Sequence, residues 1–293
     1  MNVFRVTPRG FCLGVVKSIK MAKEALKQYP DKNIYMIGLL VHNKIVVKEL
    51  EEQGIKVIDD WKKSRLEIIK TIPKDSVVVF SAHGTNMEVV KAAAELGLIC
   101  VDTKCEWVLE TEVLIKKYLQ DDYQVIFIGK HHHPETIALT SIDQNNVHLV
   151  TNIEEVELLN LDSDKIFITN QTTLSILDTQ VIYNAIKQKY PQSLYKNDIC
   201  EATLVRQQAV LDLDPNKIDL LYVVGDERSN NTLKLVELSE QKGIKTLRID
   251  SKEDIDLEDL KNIETVAVTA GASTSSIVQN NVIRYLEALE IEK

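Results

Sequence analysis

Apolar and polar positions follow one arrangement that the chain repeats three times. Residues 34–38, 125–129 and 221–225 are apolar runs closed by Gly38, Gly129 and Gly225, which predicts a buried strand with a tight turn at its carboxyl end. Those glycines lie 91 and 96 residues apart. A second apolar run recurs at 77–80, 166–169 and 265–269, and further strand patterns stand at 1–6, 98–101 and 147–150. Helical periodicity follows each of three cysteines: Val15, Ile19, Ala22 and Leu26 after Cys12; Val108, Ile115 and Tyr118 after Cys105; Leu204, Val205 and Leu211 after Cys200. The cysteines are spaced by 93 and 95 residues. Marks recurring at the length of a small domain predict three copies of one α/β unit, at 1–100, 101–196 and 197–293. Strands alternating with helices predict parallel sheets. Three such copies can close about a pseudo-threefold axis, trefoil-like, with one thiolate per copy at the centre.

Composition narrows the classes. The 293 residues suggest about two or three domains, and a 44% hydrophobic fraction suffices for a buried core. No apolar run reaches the roughly 18 residues that a membrane crossing needs. The first residues enter a strand pattern without a signal or transit signature, so a cytoplasmic location is expected. A formal net charge of −9 opposes a general nucleic-acid binder, which must neutralise phosphates with basic patches. In a reducing compartment the four cysteines read as metal ligands or buried thiols rather than disulfides.

In parallel α/β sheets, ligand groups collect beyond the carboxyl ends of the strands. His42, His133 and Ser229 each stand four residues past a strand-closing glycine, and His83, Thr172 and Ser273 trail the second runs. With Asn43, Asn230, Asn231 and Thr173 they form a set of donors beside predicted helix amino termini, where exposed N–H groups and the helix dipole favour anions. A phosphate or diphosphate suits this set better than a neutral ligand, although the chain has no Walker-type glycine-lysine motif.

Cys12, Cys105 and Cys200, one per copy, read as metal ligands. Cys100 ends an apolar strand pattern without a counterpart and reads as a small buried hydrophobe. Structural zinc prefers four ligands in short local pairs, whereas these come singly from distant loops. A cubic iron–sulfur cluster usually takes four cysteines. Three would leave one iron with an exchangeable position, able to act as a Lewis acid. Among the histidines next to His133, His131 and His132 miss the shared position after the glycine and do not read as a metal tract. His148, in a strand pattern, reads as a surface or satisfied core residue.

Seven motifs in order carry a family resemblance: Arg9-Gly10-Phe11-Cys12, Val41-His42-Asn43, Ser81-Ala82-His83-Gly84, His133-Pro134-Glu135, Gln171-Thr172-Thr173-Leu174-Ser175, Ile199-Cys200 with Ala202-Thr203 and Arg206-Gln207, and Ala270-Gly271-Ala272-Ser273. Together they resemble the LytB/IspH family, the 4-hydroxy-3-methylbut-2-enyl diphosphate reductases, from about residue 9 to residue 276. The resemblance implies three similar α/β units around a central 4Fe–4S cluster held by Cys12, Cys105 and Cys200. It implies two-electron reductive removal of a hydroxyl from an allylic diphosphate, giving isopentenyl and dimethylallyl diphosphate, the last step of non-mevalonate isoprenoid biosynthesis. By motif position the substrate hydroxyl takes the open iron and Glu135 supplies the proton that lets water leave. Thr172 fixes the hydroxyl and relays the proton. A carboxyl in such a closed site is expected to have a raised pKa. His42, His83, His133, Ser229, Asn230, Asn231 and Ser273 grip the diphosphate, with Thr203 a weaker candidate. The implied electron donor is a small ferredoxin or flavodoxin.

The sequence departs from the family pattern in three places. Glu106 follows Cys105 where a proline is usual; Thr136-Ile137-Ala138-Leu139 replaces a glycine-threonine-rich turn; and Ser229-Asn230-Asn231 stands for a serine-serine-asparagine motif behind Asp226-Glu227-Arg228. Acidic Asp226 and Glu227 oppose a diphosphate unless they point outward or Arg228 offsets them. Two other classes remain open at this stage, a non-catalytic iron–sulfur sensor and a zinc hydrolase of a phosphorylated substrate.

Overall fold

The structure is a computed structural model that describes residues 1–289. Its strands are β1 (Asn2–Arg5), β2 (Ile34–Ile37), β3 (Ile55–Ile58), β4 (Val77–Phe80), β5 (Ile99–Asp102), β6 (Gln124–Ile128), β7 (Val147–Val150), β8 (Ile166–Asn170), β9 (Leu194–Tyr195), β10 (Leu220–Val224), β11 (Thr246–Ile249) and β12 (Thr265–Ala270). The α-helices are α1 (Leu13–Gln28), α2 (Lys44–Glu52), α3 (Arg65–Ile69), α4 (Met87–Glu95), α5 (Glu106–Gln120), α6 (Pro134–Thr140), α7 (Ile153–Leu158), α8 (Ile176–Lys189), α9 (Glu201–Leu211), α10 (Asn230–Gln241) and α11 (Ser276–Ala288).

The fold class is α/β, with three four-stranded sheets whose strands all pair in parallel. Their orders are β3-β2-β4-β5, β7-β6-β8-β9 and β11-β10-β12-β1. In each, the two kinds of apolar run lie side by side at the centre. A central strand with helices on both faces must be apolar on both, which is why these segments read as continuous apolar runs rather than alternating ones. In β10, Leu220, Tyr222 and Val224 pack with Val282, Ile283 and Leu286 of α11, while Leu221 and Val223 pack with Leu235 and Leu238 of α10.

The chain divides into two compact units, Met1–Leu13 with Cys200–Lys293, and Gly14–Ile199. The first holds the sheet of β1, β10, β11 and β12; the second holds the other two. The fourth place in the first unit's sheet is filled from the opposite end of the chain, Asn2 pairing with Thr265 and Arg5 with Val268. Among the described residues no helix is long and apolar enough to cross a membrane.

One expectation needs correcting. Cys100 is exposed, not buried. It lies on β5, the edge strand of its sheet, where successive side chains alternate between faces and only one face has cover.

Close packing around glycine gives a first prediction. A Cβ on Gly271 would stand 2.1 Å from Thr232 Oγ1 and 3.3 Å from its Cβ, and one on Gly225 would stand 2.4 Å from the same hydroxyl. Thr232 is fully buried, so it has little room to retreat. Gly271→Ala is expected to destabilise the chain by about 1–3 kcal/mol. A denaturant midpoint measured at unchanged slope checks it, and adding Thr232→Ala should recover part of the loss.

Candidate active site

The Gly14–Ile199 unit holds six of the expected residues, His42, His83, Cys105, His133, Glu135 and Thr172. Gly38 ends β2 with a φ of 72°, a conformation glycine adopts without strain, and the chain turns there toward His42. Asn43 caps α2, its Oδ1 accepting from Ile45 N and Val46 N at 3.0 Å each. The turn after β4 carries His83 and is tied to this loop by Ala82 N donating to Leu40 O. His133 caps α6, with Pro134 at the first helical position.

The three rings meet. His42 and His83 stack at 4.8 Å between centroids, His83 and His133 meet edge-on at 5.3 Å, and His42 and His133 are 6.1 Å apart. His133 Nδ1 accepts from Glu135 N at 3.2 Å, so in the neutral ring the proton sits on Nε2. That Nε2, like the Nε2 of His83, is buried with no hydrogen-bond partner. Burial, then His42, Lys130 and Arg65, push His133 down to about 3. Burial, then His42, His133 and Arg65, hold His83 well below the ordinary imidazole range. Buried polar nitrogens left orphaned are costly, and an anion would satisfy them. Arg65 is the residue of this group that sequence reading missed. Its Nη2 would stand 2.7 Å from a Cβ on Gly38, so the guanidinium packs closely against the bare glycine.

Glu135 is fully buried. Its Oε1 accepts from Thr172 N at 2.7 Å and its Oε2 from Thr172 Oγ1 at 2.9 Å. Burial raises its pKa to about 7 against those two hydrogen bonds, with the charge of Asp198 adding to the rise. A shift of that size is about 3 kcal/mol of preference for the protonated acid. Asp198 was not flagged by the sequence either. It is held by Thr169 Oγ1 at 2.5 Å and Lys196 Nζ at 2.7 Å. The Thr172 loop is fixed by Gln171, whose Oε1 accepts from Lys130 N at 3.0 Å and Thr136 Oγ1 at 3.3 Å. The departure at Thr136 therefore supplies a brace to the loop that faces Glu135.

Cys105 caps α5 and its N–H donates to Ala82 O at 2.9 Å, next to His83. Glu106, in the usual proline's place, is the first helical residue and forms an ion pair with Lys17. An acid there meets the positive end of the helix dipole. His131 is exposed and pairs with Glu155 at 3.0 Å, and His148 bonds Gln124 at 2.7 Å, as expected of residues outside the site.

The other unit gathers the rest. Ser229 caps α10 and lies 3.3 Å from Ser273 Oγ. Asn231 is a brace: its Oδ1 accepts from Ala272 N at 2.8 Å and its Nδ2 donates to Thr203 Oγ1 at 3.1 Å. Thr203 Oγ1 in turn accepts from Cys200 Sγ at 3.2 Å, and Cys12 N donates to Ala272 O at 3.0 Å. One chain of hydrogen bonds thus joins Cys200, Asn231 and Cys12. Asn230 and Ser273 are buried beside it. Asp226 turns back on its own loop, accepting from Arg228 N at 2.9 Å and lying 3.6 Å from Arg228 Nε; Glu227 is exposed.

The thiols suit an iron–sulfur group. None is in a disulfide, and each is partly buried. Cys105 and Cys200 are helix N-caps in extended conformation, and Cys12 immediately precedes α1. The amino end of a helix favours thiolate, the ligating form. Among the described residues no group of three or more His, Cys, Asp or Glu is arranged to hold a metal ion, the clustered histidines included. A cubic cluster asks for something different, one thiolate per iron.

Comparisons with known proteins converge. The family model described as LytB protein matches residues 3–287. A protein of Malacoplasma penetrans named 4-hydroxy-3-methylbut-2-enyl diphosphate reductase is 44% identical over 98% of this chain and 97% of its own. One of the same name from Bacillus velezensis is 44% identical, over 99% and 92%. The solved structure of the Plasmodium falciparum E-1-hydroxy-2-methyl-but-2-enyl-4-diphosphate reductase superposes with a TM-score of 0.91 at 31% identity, over 99% of this chain and 89% of that one.

Proposed function

The chain belongs to the LytB family, and from that we infer that it is a 4-hydroxy-3-methylbut-2-enyl diphosphate reductase of non-mevalonate isoprenoid biosynthesis. The allylic alcohol takes up two electrons and two protons, the carbon–oxygen bond breaks, and water leaves with isopentenyl or dimethylallyl diphosphate. The observation that carries this reading is Glu135, a fully buried carboxyl with a pKa of about 7, gripped by Thr172 and joined through one backbone N–H to His133.

Cys12, Cys105 and Cys200 are the ligands in this reading, one from each repeat. A 4Fe–4S cluster bound there supplies single electrons and a Lewis-acidic iron. The chain's own residues do the rest. His42, His83 and His133 take the diphosphate, with Ser229, Asn230, Asn231 and Ser273 as further donors. His83 and His133 enter as neutral rings with an Nε2 to offer. The arriving anion favours their charged form, so binding draws protons onto the cluster of rings. Glu135, whose raised pKa of about 7 keeps a proton available near neutral pH, delivers a proton to the departing hydroxyl. Thr172, held by both its N–H and its hydroxyl, orients the acid and passes the proton on. Burial keeps bulk water from quenching the acid. The electrons come from a reductant protein such as a ferredoxin or flavodoxin, and a reducing cytoplasm suits three thiols outside any disulfide.

The test is anaerobic turnover with a chemical reductant. Consumption of the allylic diphosphate, with both five-carbon diphosphates formed, is the expected result. An intact cluster without turnover would support a sensor instead, and zinc without iron or sulfide would support a hydrolase.

A further inference from the structure

Arg206 lies on α9, six residues past Cys200, and is almost fully buried, with 4% of its surface exposed. Its Nη2 donates to Gly10 O at 2.7 Å and its Nη1 to Ala202 O at 2.9 Å. Gly10 belongs to the segment that ends in Cys12. One guanidinium therefore clamps the backbone of the Cys12 loop to the helix that begins at Cys200. Its Nε, by contrast, is buried and has no hydrogen-bond partner. Burial lowers its pKa, opposed by Cys12 and Cys200 rather than by a carboxylate. A buried cation without a carboxylate is expensive. It is stable beside a group that is itself anionic, as a thiolate-bound cluster is.

We propose that Arg206 is a positioning residue for the redox group, setting its reduction potential through a fixed positive charge and an unpartnered Nε–H on the guanidinium that joins the Cys12 loop to the Cys200 helix. The proposal rests on the reading of those cysteines as cluster ligands. Reduction adds one electron from the donor protein and makes the cluster one charge more negative. A fixed cation with an Nε–H left to donate stabilises that reduced state, because nearby charge and hydrogen bonds to sulfur are both levers on iron–sulfur potentials. Without Arg206 the cluster becomes harder to reduce. With it, a weaker physiological donor suffices.

The experiment uses holoenzyme reconstituted anaerobically with iron and sulfide. Cluster content and the midpoint of reduction, followed by electron paramagnetic resonance, are compared in wild type, Arg206→Gln and Arg206→Lys. Wild-type protein that takes up no cluster removes the functional reading itself, before any variant is tested. With the cluster loaded, Arg206→Gln is expected to lower the equilibrium constant for reduction at least tenfold, about 59 mV for one electron. Arg206→Lys, which keeps the charge and loses the fork, should fall between. Turnover in Arg206→Gln should persist with a strong chemical reductant and drop with a weak one. A loaded glutamine variant with the wild-type midpoint overturns the proposal. Should that variant take up no cluster, the lysine variant decides: a lowered midpoint supports the proposal and an unchanged one overturns it.

Discussion

Glu135→Gln is expected to retain cluster and substrate binding and to lose turnover by about 10²–10⁴-fold, the range for removal of a positioned general acid. The amide keeps the shape of the side chain. Its oxygen can still accept from Thr172 N and its NH₂ can donate to Thr172 Oγ1, so the loop after β8 should not move. What it lacks is a transferable proton. KM should stay within about threefold, because an interaction used only in the transition state affects kcat and not uniform binding. The pH profile gives a separate check. A carboxyl raised to about 7 is mostly protonated below that pH and mostly ionised above it. Turnover of the wild type should therefore fall as pH rises through the neutral range, and that limb should vanish from the residual activity of the variant. Near-normal turnover, or an alkaline limb that survives the substitution, would remove Glu135 from its role.

On the proposed reading of Cys105 as a cluster ligand, Cys105→Ser is expected to abolish activity. A serine hydroxyl does not ionise near neutral pH, so it cannot replace the thiolate. Iron should fall from about four atoms per chain to well below that, together with acid-labile sulfide and visible absorbance. Cys100→Ser is the matched control: Cys100 lies exposed on the edge strand β5, and its loss should leave iron content and turnover unchanged. Thermal unfolding separates ligand loss from misfolding, since secondary structure should persist in the Cys105 variant. Full iron content in that variant would end the assignment of Cys105 as a ligand.

The central strands were legible because burial on both faces writes a continuous apolar run into the sequence. All six, from β2 and β4 to β10 and β12, lie where those runs predict. Three edge strands were not legible. β3 reads Ile55-Lys56-Val57-Ile58 with a lysine exposed, β9 is only two residues long, and β11 is mostly half-buried. Edge strands see solvent, so their pattern is mixed. His42 and His133 were found from their fixed offset after strand-closing glycines, and His83 from its place behind the second apolar run. Arg65 and Asp198 were missed because they act across the fold, from positions no local pattern marks. Cys100 was misread because an apolar run cannot tell an edge strand from a central one. The departure at Asp226 raised a conflict of charge that the loop resolves by pairing it with Arg228.

The pairing of β1 with β12 has a consequence for how the protein is made. During synthesis the first five residues leave the ribosome long before residue 265 exists. That strand must wait, unpaired, while the Gly14–Ile199 portion can already fold behind it. Completion of its sheet is therefore postponed until residues 265–268 have emerged. Slow translation would lengthen the interval in which an unprotected β-edge is available to chaperones or to aggregation.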